Sequence, residues 1–177
     1  MAHIDDKVIE LARTALSFEL GGEHFYRHAA GITQNARGKA MFQRLAEEEN
    51  GRMEDLHTLF SAIIGAGEWQ RLVAEETASV NPSAVVSEME TTVANRGHGV
   101  VADDTQALRM AMEMQRKVIH LYKSLASHTE DAVVAGLIAK MIEEENFQYD
   151  NFQAQLDSVL NVGLWLDSPE FRMDGKF

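Results

Sequence analysis

Leu45-Ala46-Glu47-Glu48-Glu49-Asn50-Gly51-Arg52-Met53 has a near copy in Met141-Ile142-Glu143-Glu144-Glu145-Asn146-Phe147-Gln148-Tyr149. Each is an acidic run lodged inside an otherwise apolar, helix-periodic segment, where carboxylates are costly unless something neutralises them. The runs lie 96 positions apart, and the same offset pairs Ala15 with Ala111, His24 with His120, Tyr26 with Tyr122 and Ala30 with Ala126. When Ala15 to Ile64 is set gaplessly on Ala111 to Leu160, ten of fifty positions are identical. This implies an internal repeat of two helix pairs, over about 6–64 and 104–161.

The first pair starts with Asp5 or Asp6 as a cap and a stripe of Val8, Leu11, Ala12, Ala15, Gly22 and Tyr26 at helical spacing, with Glu19 in its middle. A helix from Asp6 to Ile32 is roughly 40 Å long at 1.5 Å per residue. Gly21-Gly22 weakens it by about 1 kcal/mol per glycine relative to alanine, so close packing against a neighbour is the expected compensation. Thr33-Gln34-Asn35 makes a turn, and Met41, Phe42, Leu45, Glu49, Arg52, Met53, Leu56, Phe60 and Ile63 mark the second helix, stopped by Gly65 and Gly67. A connection this short sets the two helices antiparallel.

Residues 65–103 differ in kind. Glu68 to Glu76 and Ser83 to Ala94 read as short helices, the second opened by Asn81 as cap and Pro82 in the first turn, and Arg96-Gly97-His98-Gly99 breaks the pattern. A long crossover of this sort restarts the second helix pair from the far end, and is also a segment that subunits can exchange. Asp103 or Asp104 caps the third long helix, where Gln115 occupies the place of Glu19. Thr129 is the expected cap of the fourth, where Glu145 repeats Glu49 and Gln148 repeats Arg52. Residues 162–177 form an aromatic, non-periodic tail expected to dock on the helices or on a second subunit. All of this fits a single domain, 1–177.

Composition narrows the function. A net charge of −12 disfavours nucleic acid and anionic membrane surfaces as partners. With no cysteine, disulfides, iron–sulfur clusters and thiolate metal sites are excluded, so any metal must be held by carboxylate, amide or imidazole. The first residues show no basic region followed by an apolar run, so no secretory signal is expected and a cytoplasmic address is.

Four inward-facing polar stripes at mid-height suit a carboxylate-bridged two-metal site, in which one helix of each pair brings a Glu and the other a Glu-x-x-His. The spacing from Glu19 to Tyr26, the Leu-Ala-Glu-Glu-Glu run, Tyr122 and the second Glu-Glu-Glu run together resemble the rubrerythrin branch of the ferritin-like superfamily. The resemblance covers the four long helices. It implies an all-α fold, a ferritin-like antiparallel four-helix bundle with a long helical crossover between helices 2 and 3, usually homodimeric. It further implies non-haem iron, one or two ions, and peroxide or iron handling by an oxidoreductase active in oxidative stress. Lacking cysteine, this chain has no rubredoxin centre, and a reducing partner would be a separate electron donor.

The ligand set the resemblance implies is incomplete. Glu19, Glu49 and Glu145 match metal ligands, but the two histidine positions hold Arg52 and Gln148 and the third-helix glutamate position holds Gln115. Gln115 and Gln148 are weak amide ligands at best, and arginine is no ligand. The alternative expectation is a metal-free structural or interaction bundle in which Arg52 forks onto two of Glu19, Glu49 and Glu145 and replaces the metal's charge. Tyr26 and Tyr122 are expected to donate hydrogen bonds to the inner glutamates or to serve as plain core tyrosines. Glu47, Glu48, Glu143 and Glu144 lie off the inner stripes and read as solvated. His24 and His120, about 140° around the helix from Glu19 and Gln115, read as surface or subunit contacts, and His57 as a boundary residue.

Overall fold

The computed structural model describes residues 6–48, 52–79, 81–97 and 103–166. Among them are seven helices and no strand: α1 (Asp6–Ile32), α2 (Ala36–Glu48), α3 (Arg52–Ile64), α4 (Ala66–Ser79), α5 (Pro82–Asn95), α6 (Asp104–Ala126) and α7 (Ala132–Val162). The expected second helix is thus described as α2 and α3, and the crossover supplies α4 and α5.

Local chemistry sets the ends. Asn81 caps α5 by accepting from the Ser83 amide at 3.1 Å, with Pro82 following. Asp103, rather than Asp104, caps α6 through the amides of Thr105 and Gln106. Asp131 caps α7 through Val133 and Val134, which corrects the expectation of Thr129. Thr129 instead accepts from the Asp131 amide at 3.3 Å. Gly65, at φ +88°, divides α3 from α4, whereas Gly67 lies inside α4 and stops nothing.

Helix α1 packs on α2, α5 and α6, α6 packs on α7 and α5, and α3 packs on α4. Helix α5 packs tightly on α1 at Gly21, where a Cβ atom would lie 2.4 Å from Val85 Cγ2. The glycine that weakens α1 in isolation is therefore what lets α5 close on it. Helices α1 and α6 run in opposite senses, since Gln34 past the end of α1 donates to Asp104 at the start of α6 while Tyr26 meets Gln115. Arg116 on Tyr149 and Trp165 on Asp104 show the same for α6 and α7.

After Gly163, at φ +70°, the chain turns back and Trp165 fills the space left by Gly38. Its indole donates to Asp104 Oδ2 at 2.8 Å and its ring meets Phe42 edge-on at 6.2 Å. Leu166 is pinned by Gln155, whose amide oxygen accepts from its N–H at 2.9 Å. The remainder of the tail, from 167, lies outside the described residues.

Two apolar cores result. One gathers Phe25, Tyr26, Phe42, Met89, Phe152 and Trp165, the other Leu16, Leu56, Phe60, Trp69, Tyr122 and Ile138. Along α1, residues 8–16 belong to the second core and 25–30 to the first, and Glu19 lies between. Gln115 on α6 and Glu145 on α7 lie between them in the same way. The inner polar residues thus form one layer sandwiched by two hydrophobic clusters. Met110, Met112 and Met114 are buried in the first core, as filling.

Candidate functional site

Helix periodicity puts Glu19, Gln115 and Glu145 on the inward faces of α1, α6 and α7, and the start of α3 brings Arg52 over them. Arg52 Nη1 donates to Glu145 Oε1 at 3.1 Å and to Oε2 at 3.5 Å. The Glu145 side chain is 9% exposed and that of Arg52 30%, so the guanidinium reaches a buried carboxylate from the rim. Burial raises the Glu145 carboxyl above its ordinary range, while Arg52 and the Gln115 amide pull it back down.

Gln115 is wholly buried and donates through Nε2 to Tyr26 Oη at 3.3 Å, so Tyr26 is the acceptor in this contact. The other end of that amide, Oε1, is buried without a hydrogen-bond partner among the described residues. The Tyr122 phenol is held well above its usual range by burial first and then by the charges of Glu145 and Glu19. It therefore stays protonated beside the two carboxylates.

Ala15, Phe18, Glu19, Arg52, Tyr122 and Glu145 surround a cavity of about 20 Å³ with Met114, Val118 and Leu121. A single water needs roughly 10–15 Å³ of such space. Glu19, Arg52, Tyr122 and Glu145 are thus brought together. Gln115 sits beside them on Tyr26, and Gln148, half-buried on α7, is not in the cavity wall. Glu49 lies outside the described residues.

The donors among the described residues, which leave out Glu49, are too few for a two-metal centre. Such centres hold ions about 3.5–4 Å apart between several anionic ligands. Here no group of three or more His, Asp or Glu side chains able to hold a metal exists among the described residues. One of the two described carboxylates, moreover, is already occupied by a guanidinium that cannot lose its charge. His24, His57 and His120 offer no replacement: all three are exposed, and His57 contacts Ser61 at 3.3 Å. Glu47, Glu48, Glu143 and Glu144 are exposed as well.

A second polar cluster escaped sequence reasoning. Glu113 of α6 is buried, with a side chain 5% exposed, and meets Arg96 Nε at 2.8 Å as well as Arg116 Nη1. Arg116 Nη2 in turn donates to Tyr149 Oη at 2.5 Å, and its guanidinium carbon lies 5.1 Å from the centre of that ring. The one sequence signal was the Glu-x-x-Arg spacing of Glu113 and Arg116, which on a helix usually marks an exposed pair.

No described helix is long and apolar enough to cross a membrane. No curated protein and no solved structure matches the chain. The sequence profile of the rubrerythrin family does match, over residues 10–156, well over half the chain. On that match, and in keeping with its all-helical structure, the chain belongs to the rubrerythrin family.

Proposed function

We propose that this protein is a ferritin-like bundle whose inner polar layer is neutralised by Arg52 in place of two metal ions, and that it serves as a structural or interaction protein, not as a peroxide-reducing enzyme. The observation that carries the reading is the Arg52–Glu145 ion pair at the position where the family's histidine would stand. A cation placed beside that guanidinium would be repelled. The antiparallel four-helix arrangement, with α4 and α5 as its crossover, is part of this reading. The opposed senses of α1 against α6 and of α6 against α7 support it.

One observation favours a second reading. Glu19 and Glu145 flank a cavity with room for a single small occupant, so one cation held by these two and by Glu49 is compatible with the layer if Arg52 releases Glu145. In that form the protein would take its electrons from a separate donor, and homodimerisation would follow the family.

The test combines metal analysis with Arg52→His. Protein grown with added iron is expected to carry well under one iron per chain and to show no peroxide-dependent oxidation after reduction. Arg52→His, which removes the fixed charge and restores an imidazole, is expected to bind more iron. Nearly two irons per chain in the wild type, unchanged in the variant, would sink the counter-ion reading. One iron per chain with measurable turnover would establish the second.

A further inference from the structure

Where α1, α5 and α6 meet, described residues line a surface pocket of about 460 Å³. Small-molecule sites span roughly 300–1,000 Å³. Its floor and rim differ. Leu11 and Phe18 of α1 and Leu121 of α6 make the floor apolar, while Arg96, Arg116 and Lys117 make the rim cationic.

In this lining Lys7, Arg96, Arg116 and Lys117 stand against Glu88 and Glu113, four positive charges against two negative, in a chain whose net charge is −12. Lys7 pairs with Glu10 and Lys117 with Glu88 at 2.7 Å. The uncompensated charge therefore rests on Arg96 and Arg116, which share one carboxylate oxygen of Glu113. One carboxylate neutralises only one of two guanidiniums. Arg116 is also fixed by Tyr149, so less freedom is lost when it engages a ligand. Guanidinium groups suit planar carboxylates and phosphates, which they can bind through two parallel N–H bonds.

We infer that this pocket binds a small aromatic anion, with the ring on the floor of Phe18 and Leu121 and the carboxylate or phosphate on Arg96 and Arg116. The pocket shares Phe18 and Leu121 with the wall of the inner cavity, but its charged residues are different ones, and Arg52, Glu19 and Glu145 take no part in it.

Calorimetric titration of the full chain with adenosine monophosphate, 1-naphthoate and inorganic phosphate tests it. At least one aromatic anion is expected to bind at one per chain, with inorganic phosphate about tenfold weaker or worse, a gap of roughly 1.4 kcal/mol. Whichever of the two binds more tightly assigns the head group as phosphate or carboxylate. Arg96→Gln, at a site 53% exposed, leaves Arg116 on Glu113 and is expected to weaken binding about tenfold with unchanged helicity. Lys117→Glu, which reverses a charge in the lining and leaves both arginines on Glu113, is expected to do the same. Absence of binding by either aromatic anion, equal binding of inorganic phosphate, or affinity indifferent to both substitutions would overturn the proposal.

Discussion

Glu113 and Glu145 are the two glutamates buried among the described residues, at 4% and 7% exposure, and they are neutralised differently. Glu113 has two guanidiniums, one from its own helix three residues on and one from the end of α5. Glu145 has one, delivered from the start of α3, and its burial still outweighs that partner, leaving the carboxyl raised. The surplus of positive charge at Glu113 makes a clamp between α5 and α6 and leaves a cationic rim outside it. The deficit at Glu145 makes a carboxylate that would accept a proton or a cation. Two similar side chains at similar depth thus have opposite electrostatic needs.

The largest expected effect breaks the clamp. Arg96→Ala combined with Arg116→Ala leaves Glu113 buried without a counter-charge and should cost about 3–5 kcal/mol in urea unfolding. Each single substitution leaves one guanidinium in place and should cost about 1 kcal/mol or less, since both arginines are substantially exposed. Additive behaviour of the two would show that the shared carboxylate does not couple them.

Gly21→Ala acts on the same side of the comparison by wedging α5 from α1 at Val85. The overlap should outweigh the gain in helix propensity and cost about 1–3 kcal/mol. A stabilised variant would show that the contact yields without strain. At the other glutamate, Arg52→Met should cost about 1–2 kcal/mol, less than a fully buried pair. Arg52 is partly exposed, and Glu145 can take up a proton instead.

The smallest effect is in pH dependence. A carboxyl raised in the folded state binds protons more readily there than in the unfolded chain, so its contribution to stability grows as pH falls through the raised value towards the ordinary 4.5 and shrinks as pH rises. Glu145→Gln removes this titration. The stability of wild type relative to Glu145→Gln, from thermal unfolding at a series of pH values, should therefore rise from neutral pH towards about 5. A difference that falls instead would mean that Arg52 dominates burial.

Much of the scaffold was legible along the chain. The stripe from Val8 to Tyr26 and the Asp6–Ile32 bounds of α1, the Asn81-Pro82 start of α5 and the close packing at Gly21 all follow from periodicity and from side chains acting on neighbouring backbone. Misreadings arose where several local options competed. Thr129 and Asp131 are both good caps two residues apart, and only the path into α7 selects Asp131. Gly67 is a helix breaker by propensity, yet it is exposed in the first turn of α4 and tolerated there.

The site divides along the same line. The sequence alone determined that Glu19, Gln115 and Glu145 share a layer, because 3.6-residue periodicity in three apolar helices leaves polar residues at one height no other place. It also determined that arginine stands where an imidazole would be needed. Tertiary structure decided that Arg52 meets Glu145 from the rim, that Gln115 turns to Tyr26, and that Glu113 is buried at all. The physical reason is that burial and ion pairing belong to the assembled surfaces: Glu113 and Arg116 look like an exposed pair on one helix until α5 lays Arg96 across them.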